Sequence, residues 1–344
     1  MAAGGVKKVT RKRMRPPSLQ QSSTRMYFLS PRSGWIGSNI PGEGSREFTL
    51  EELTGPEFKM RLVEWDGTTS MPIVDAEGQV IGIFSGRPRG PDYQGVVAEV
   101  TSEFALARVA LGVSGTSPMA QRRGNFYSLV VGISFGGGQR KPANLHSSKS
   151  NVGIVDALLR SESKSLSRIA DFASGQLLNY RLSVIKVLMH DSTLWRNFDR
   201  SVFAAATFNL GPITMTCPHL DQGNLAWGWC AITALGTFDA NRGGHMVLWD
   251  LGLVIQFLPG STILISSAIL KHSNVKVPEG EIRCSFTQYT AGGLLRYAYN
   301  GFWMDKTVLA CADKAEMDRR KMDRQRRWAD GLDMFSSIDK LLPL

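Results

Sequence analysis

The second half of the chain is a succession of short apolar segments, separated from one another by Gly, Pro or Asn. Each segment has the length of a strand, and turn residues recur at the spacing typical of all-β folds. Eight strands with such turns predict a β-sandwich or a jelly roll. The segments are SVFAAATFNL, ITMTCPHL, LAWGWCAITAL, GHMVLWDL, GLVIQFL, STILIS, IRCSFTQYTA and GLLRYAYNGFW.

The regions on either side of this strand-rich part have a different character. Residues 1–24 predict a basic disordered arm, because VKKVTRKRMR carries six basic residues and no acidic one. Residues 25–200 mix short strands, flexible loops and helices, including two long helices over residues 151–197. Helical spacing of apolar residues returns in the C-terminal segment, residues 312–344.

Composition narrows the classes of protein that fit. The chain has 40 Lys and Arg against 30 Asp and Glu, a net charge of +10, which favours an acidic partner such as nucleic acid. No apolar run reaches the ~18 uncharged residues of a membrane span, and no apolar signal-peptide core follows the first basic residues. The 4 cysteines form no C-x-x-C pair, so a zinc module is not expected. Cysteines this few and scattered favour a reducing compartment.

A histidine and an aspartate lie two residues apart in CPHLDQGNLAWGWC, at His219 and Asp221. In a strand, side chains at i and i+2 point to the same side, so both can bind one ion. A facial triad of two histidines and one carboxylate needs another imidazole, and His272 in LKHSN is the natural candidate. The sequence therefore predicts His219, Asp221 and His272 as the catalytic metal ligands.

An arginine follows in an otherwise apolar strand, at Arg283, with Ser285 two residues further along. A buried guanidinium requires an anionic partner, and the carboxylate of a small ligand meets that need. The order H-x-D, distal H, then R-x-S is the pattern of Fe(II)/2-oxoglutarate dioxygenases, which are built on a double-stranded β-helix. We therefore expect an α+β fold with a double-stranded β-helix (jelly-roll) core over residues 201–311, flanked by helices.

Residues from about 207 to 302 resemble the TET/JBP family of nucleic-acid base oxygenases, and within it the basidiomycete fungal branch. The similarity rests on HLDQGNL, on Gly243-Gly244 before HMVLWDLGLVIQFLPGSTILIS, and on LKHSN and RCSFTQYTAGG, with RRGNFYSLVVGISFGGGQRKP upstream. It covers under a third of the chain. It implies Fe(II), 2-oxoglutarate and O₂ as cofactor and cosubstrates, methylated duplex DNA as partner, and a nuclear location.

The resemblance also implies roles for individual residues. His219, Asp221 and His272 match the iron ligands, and Arg283 with Ser285 matches the site of the 2-oxoglutarate carboxylate. Asn209 matches a position that contacts the cosubstrate in some relatives, and Asn224 and Tyr289 match positions that contact a flipped base. Asp250 matches no such position, but its carboxylate suits a contact to the exocyclic amine of a base. Each has a plainer reading, since Asn224 also suits a turn, Tyr289 a core, and Asp250 a strand end facing water.

One departure from the family pattern concerns the substrate. Where some TET-type enzymes carry a base-reading histidine, this chain has Ala291-Gly292-Gly293. That change predicts a more open pocket, and it admits N6-methyladenine beside 5-methylcytosine as a substrate.

Basic residues in loops are the expected contacts to DNA phosphates once a base is flipped into the pocket. Two alternatives stay open: a 2-oxoglutarate-dependent hydroxylase acting on protein or RNA, and a non-catalytic chromatin-binding protein. The sequence predicts no oligomeric state. The phosphate-contact candidates are Arg87, Arg89, Arg122, Arg123, Arg140 and Lys141.

Overall fold

The structure is a computed structural model that covers the strand-rich core and most of the flanking helices. Of the predicted basic arm, only Leu19–Gln20 is described, and Arg122 lies outside the described residues as well. The described residues are 19–20, 33–38, 46–112, 123–145, 148–173 and 178–341.

The elements alternate between strands and helices in the first half of the chain and are mostly strands from residue 205 to residue 289. The strands are β1 Leu19–Gln20, β2 Arg61–Val63, β3 Met71–Val74, β4 Val80–Gly86, β5 Tyr127–Ser134, β6 Ala143–Asn144, β7 Ala205–Gly211, β8 Cys230–Thr237, β9 Met246–Leu248, β10 Leu253–Ile255, β11 Thr262–Ile265, β12 His272–Asn274 and β13 Ile282–Tyr289. The helices are α1 Leu50–Thr54, α2 Tyr93–Ala110, α3 Val152–Leu159, α4 Ser165–Phe172, α5 Leu178–His190, α6 Gly292–Tyr299, α7 Asp305–Cys311, α8 Lys314–Leu332 and α9 Ile338–Leu341.

The described strands form two sheets. The large one has the order β1-β3-β4-β11-β8-β13-β7-β5-β6, and the small one has the order β12-β9-β10-β2. From β7 onward the chain places two strands in the large sheet, two in the small sheet, and then alternates between them. This path is a double-stranded β-helix, and the predicted fold class is confirmed.

Apolar residues from the two sheets meet in one core cluster. Phe84, Ile232 and Ile263 of the large sheet pack in it with Leu248 and Ile255 of the small sheet. Runs such as TILI in β11 are buried along their whole length. Each side chain of this size contributes about 1.5–3 kcal/mol when it is fully buried.

Helices cover the other face of the large sheet. Phe104 of α2 and Ile169 of α4 pack against Phe208 of β7 and Phe286 of β13. Because successive side chains of a strand alternate between faces, Arg283 and Ser285 of β13 lie opposite to Phe286 and face the small sheet. The helical layer therefore fixes which side of β13 faces the interior of the β-helix.

The sheets are not confined to the range predicted for the catalytic core. β3, β4 and β5 belong to the large sheet, and β2 pairs in parallel with β10 of the small sheet. The region before residue 201 thus supplies strands as well as helices to the same two sheets.

The segment GLLRYAYNGFW is a helix, α6, where a strand was predicted. Its apolar residues Leu294 and Leu295 pack with Val184 and Val187 of α5. The two preceding residues, Gly292 and Gly293, lie in close contact with neighbouring backbone. A Cβ at Gly292 would lie 2.0 Å from the carbonyl oxygen of Trp35, and one at Gly293 would lie 2.0 Å from that of Phe135. The aromatic content suggested a strand, but packing against α5 decides the conformation.

Three other segments differ from the sequence prediction. Most of ITMTCPHL and the start of LAWGWCAITAL are irregular, with isolated bridges in place of strands. The predicted helix over residues 151–174 is two helices, α3 and α4, because Lys164 adopts a left-handed backbone conformation between them (φ 53°).

Candidate metal centre

His219 and His272 lie opposite each other across a pair of backbone hydrogen bonds. The amide of His219 donates to the carbonyl of His272 at 3.0 Å, and the amide of His272 donates back at 3.0 Å. Their ring centroids are 4.3 Å apart. The bridge lies at the start of β12 in the small sheet, and it brings together two residues that are 53 positions apart in the sequence.

Backbone carbonyls orient both imidazole rings. Nδ1 of His219 donates to the carbonyl of Cys217 at 2.8 Å, and Nδ1 of His272 donates to that of Leu270 at 2.9 Å. Since a carbonyl only accepts, each Nδ1 carries a proton, and in the neutral ring Nε2 then carries the lone pair. This tautomer is the one that a metal-binding imidazole requires, with its other nitrogen held by the protein.

Asp221 completes the set between the two rings. Its Oδ1 is 3.6 Å from Nε2 of His219, and its Oδ2 is 3.9 Å from Nε2 of His272. The backbone amide of Asp221 donates to the carbonyl of Ser267 at 2.9 Å, which anchors the loop. Among the described residues, His219, Asp221 and His272 are the group that can hold a metal ion, with ligand atoms within 4.8 Å of one another.

The protonation states suit metal binding. Burial, with the neighbouring His272, lowers the pKa of His219 to about 3, so the ring is neutral at neutral pH. Burial opposes the charge of Asp221, but Arg123, the two imidazoles and a hydrogen bond from Ser267 bring its pKa down to about 2. Two imidazoles and one carboxylate are the donor set of a non-haem Fe(II) site.

Arg283 is a buried cation with most of its donors unused. It is 1% exposed, and its Nη1 donates to the carbonyl of Thr214 at 2.6 Å. Nε and Nη2 have no hydrogen-bond partner among the described residues. Burial lowers its pKa to about 10, so it stays charged. A buried guanidinium in this state is suited to bind an anion.

Ser285 and Asn209 lie beside this guanidinium as a cross-strand pair. Ser285 of β13 is opposite Asn209 of β7, and Asn209 Nδ2 donates to Ser285 Oγ at 2.9 Å. Ser285 shares its strand face with Arg283. The structure thus brings together the three residues predicted to bind the cosubstrate.

His245 is a residue of this pocket that the sequence prediction left unassigned. It is 1% exposed, its Nδ1 has no partner in the part of the chain that the structure describes, and Arg283 is close enough to act on its charge. The sequence signal that could have pointed to His245 is its position directly after Gly243-Gly244. The structure shows why a glycine is needed there, since the ring of Phe238 packs where a side chain of Gly244 would lie. That ring also faces Arg283, at 5.9 Å.

We expect His245 to make the metal-free protein acid-sensitive. Burial, with the charge of Arg283, lowers its pKa from 6.5 to about 4 in the folded state. Between these values the unfolded chain binds a proton that the folded chain excludes, so the free energy of unfolding falls as the pH decreases from 6.5 to 4. The loss approaches roughly 3 kcal/mol.

Urea unfolding at several pH values measures this effect. His245→Leu is expected to reduce the slope between pH 6.5 and pH 4, leaving the part that His219 contributes. An unchanged slope in this variant would show that His245 is protonated in the folded protein.

Asn224 is tied to the metal loop. Its backbone amide donates to the carbonyl of Asp221 at 2.9 Å, as a turn residue would, and its Nδ2 donates to Ser267 Oγ at 3.1 Å. Ser267 in turn hydrogen-bonds the carboxyl of Asp221. The turn role left open by the sequence is therefore present, and the side chain also supports a metal ligand.

Tyr289 and Asp250 have different surroundings. Tyr289 is close enough to Asp221 and Arg123 for their charges to act on its hydroxyl, which accepts a 3.3 Å hydrogen bond from Thr207. Asp250 lies in a 3₁₀ turn, not in the predicted strand, and its Oδ2 accepts from the amide of Lys271 at 2.6 Å. Burial raises the pKa of this carboxyl.

The predicted phosphate contacts divide into two groups. Arg89, Arg140 and Lys141 are exposed and Arg87 is half-buried, with Lys141 also paired to Asp191 at 3.0 Å. Arg123 differs, because its Nη2 lies 2.9 Å from Oδ1 of Asp221. The structure thus places Arg123 at the metal centre, where a surface contact was predicted.

Gly292 and Gly293 bear on the predicted openness of the pocket. Both are buried against the backbone of Trp35 and Phe135. They serve close packing, so the expectation that they widen the pocket is not supported.

No protein-family model and no curated protein matches this sequence. Solved structures that match include NgTET1 in complex with 5mC DNA, at 15% identity and a TM-score of 0.45, covering 68% of this chain and 83% of that one. Another is an oxidoreductase of the 2OG-Fe(II) oxygenase family from Burkholderia pseudomallei, at 17% identity and a TM-score of 0.30, covering 59% and 91%. With similarities this low, we base the function on the side chains of this protein.

Among the helices that the structure describes, none has the length and apolar character needed to span a membrane.

Proposed function

We propose that this protein is an Fe(II)/2-oxoglutarate-dependent dioxygenase that oxidises methylated bases in DNA. The observation that carries the enzymatic part is the buried Arg283, with two unused donor nitrogens, in the same β-helix as the His219, Asp221 and His272 cluster. A metal site alone fits many functions. A metal site with an internal cationic pocket for a second carboxylate fits a dicarboxylic cosubstrate.

Each residue has a defined part in this proposal. His219, Asp221 and His272 hold Fe(II), while Arg283 and Ser285 bind the distal carboxylate of 2-oxoglutarate. Asn209 orients the Ser285 hydroxyl through its 2.9 Å hydrogen bond. When bound, Fe(II) and 2-oxoglutarate activate O₂ to oxidise a C–H bond of the substrate, with release of succinate and CO₂.

Burial suits a site of this chemistry. Asp221 and His272 are each 4% exposed, and Arg283 is 1% exposed. A site with little water strengthens the attraction between Arg283 and a carboxylate, and it protects a reactive oxidant from side reactions.

The choice of a methylated base is supported by the sequence resemblance and by the charge of the chain. Asn224 and Tyr289 lie beside the metal ligands and are the proposed contacts to a flipped base, with Asp250 proposed for an exocyclic amine. Arg87, Arg89, Arg122, Arg140 and Lys141 are the proposed phosphate contacts. The basic arm is proposed to direct the protein to the nucleus. Both 5-methylcytosine and N6-methyladenine are included as substrates.

The test is incubation with duplex DNA that carries either methylated base, together with Fe(II), 2-oxoglutarate and air, followed by mass spectrometry of the nucleosides. We expect oxidised cytosine derivatives from 5-methylcytosine, or loss of the methyl group from N6-methyladenine with release of formaldehyde. The Asp221→Ala variant, in parallel, corrects for chemistry of free iron.

Two outcomes would redirect the proposal. Succinate formation that methylated DNA does not stimulate indicates an oxygenase with a protein or RNA substrate. Salt-sensitive DNA binding without any Fe(II) binding indicates a non-catalytic chromatin protein, and it removes the enzymatic proposal altogether.

A further inference from the structure

Arg123 is held beside the metal centre by its own backbone. Its carbonyl accepts a 2.8 Å hydrogen bond from the amide of Cys217, in the segment that leads to His219. The next residue, Gly124, has a φ of +155°, and a Cβ there would lie 2.2 Å from the carbonyl oxygen of Met215. This close contact requires glycine, and it fixes the point from which the Arg123 side chain starts.

The guanidinium of Arg123 reaches the anionic ligand of the site. Its Nη2 is 2.9 Å from Asp221 Oδ1, the oxygen that also lies 3.6 Å from His219 Nε2. The Arg123 side chain is 42% exposed, whereas that of Asp221 is 6% exposed. The guanidinium of Arg123 therefore contacts both solvent and the Asp221 carboxylate, the group that a metal ion would bind.

The charges of the site depend on what enters it. The carboxylate of Asp221 is already neutralised by the guanidinium of Arg123 at 2.9 Å, and Arg283 adds a second cation to the interior of the same β-helix. A divalent ion alone therefore adds charge to a site whose one described carboxylate is already paired. A divalent ion that enters with a dicarboxylate dianion adds no net charge. At low local dielectric this difference is large enough to control affinity.

We propose that Arg123 couples metal binding to cosubstrate binding: it competes with the metal for Asp221 in the absence of 2-oxoglutarate, and stabilises the anionic cosubstrate once both are bound. This inference rests on the proposed function. Because such coupling is reciprocal, Arg123 also makes 2-oxoglutarate binding depend on the metal. Iron without cosubstrate is then held weakly, which limits its unproductive reaction with O₂.

The experiment is calorimetric titration of the full chain with Mn(II), in the presence and absence of 2-oxoglutarate. In the wild-type protein, 2-oxoglutarate is expected to tighten Mn(II) binding at least tenfold. In Arg123→Gln, Mn(II) alone is expected to bind severalfold more tightly than to the wild type, and the tightening by 2-oxoglutarate is expected to shrink. Direct chelation by the cosubstrate leaves a residual effect.

Two further variants make the result specific. Arg123→Lys keeps the positive charge and is expected to bind Mn(II) and 2-oxoglutarate as the wild type does. If Arg123→Gln does not fold, the neutral variant Arg123→Met is compared with Arg123→Lys instead. Arg160→Gln removes an exposed arginine at the end of α3, in the helical layer on the other face of the large sheet, and should change neither affinity.

The outcomes separate this inference from the function on which it rests. Mn(II) binding to Arg123→Gln that is equal to or weaker than wild-type binding, without 2-oxoglutarate, overturns the competition by Arg123 while leaving the metal site intact. A wild-type protein that binds no Mn(II) under either condition overturns the proposed function, and the coupling with it.

Discussion

Asp221→Ala is expected to abolish specific metal binding and, with it, all 2-oxoglutarate-dependent oxidation. The carboxylate is the anionic member of the ligand set, and its removal leaves two neutral imidazoles beside the guanidinium of Arg123. A divalent ion would then be bound by two neutral ligands next to a cation, which is electrostatically unfavourable. We expect the affinity for Fe(II) or Mn(II) to fall by at least a hundredfold, about 3 kcal/mol.

Anaerobic metal titration measures this effect, and Asp250→Asn is the matched control. Asp250 is an exposed acid whose Oδ2 accepts a backbone hydrogen bond, a role that asparagine preserves. Metal affinity should be unchanged in the control. Wild-type-like metal binding by Asp221→Ala would show that the metal ligands lie elsewhere.

Arg283→Met is expected to weaken 2-oxoglutarate binding by about a hundredfold while the metal affinity stays close to that of the wild type. Charge-assisted hydrogen bonds from a buried arginine to a carboxylate contribute about 1.5–3 kcal/mol, and Arg283 has two unused nitrogens to form them. The cosubstrate would retain its chelation to the metal, so binding is weakened and not lost.

The same variant is expected to leave the metal-free protein at least as stable as the wild type. Arg283 is buried without a carboxylate partner among the described residues, and replacing an uncompensated buried charge by an apolar side chain of similar volume removes an unfavourable desolvation term. Chemical unfolding without ligand measures this change. A marked loss of stability would mean that Arg283 serves the fold and not a ligand.

Arg108→Met is the control for the Arg283 variant. Arg108 donates to the carbonyl of Leu210 in β7 and lies 3.8 Å from the sulfur of Cys284, so it belongs to the helical side of the sheet. Its removal should leave 2-oxoglutarate affinity unchanged, although stability is expected to fall. Equal losses of affinity in both variants would argue for general damage to β13.

The grouping of the candidate metal ligands was predictable from sequence, because histidine is a rare residue and the spacing of the motif is constrained. Histidine is scarce in this chain, with 5 residues, and His219-x-Asp221 followed by His272 and Arg283 leaves few alternative assignments. The strand-rich core was predictable for a related reason, since Gly, Pro and Asn separate its apolar segments. Metal ligands and turns are local features that a sequence displays directly.

Features that depend on distant packing were not predictable. The segment beginning at Gly292 has strand-like aromatic content, but its contact with α5 makes it a helix. Arg123 looks like any loop arginine in the sequence, and its position beside Asp221 depends on backbone contacts with the distant segment at Met215 and Cys217. His245 was visible as a histidine, yet its proximity to Arg283 comes from the closure of the two sheets.

The central claim, that this fold holds Fe(II) together with 2-oxoglutarate, is tested most directly by an anaerobic titration of the Fe(II)-loaded protein with 2-oxoglutarate, followed by visible absorption. A 2-oxo acid chelated to Fe(II) gives a metal-to-ligand charge-transfer band. We predict that the band appears in the wild type, saturates at one 2-oxoglutarate per chain, and is absent in Asp221→Ala. A folded wild-type protein that shows no band at saturating Fe(II) and 2-oxoglutarate would contradict the account.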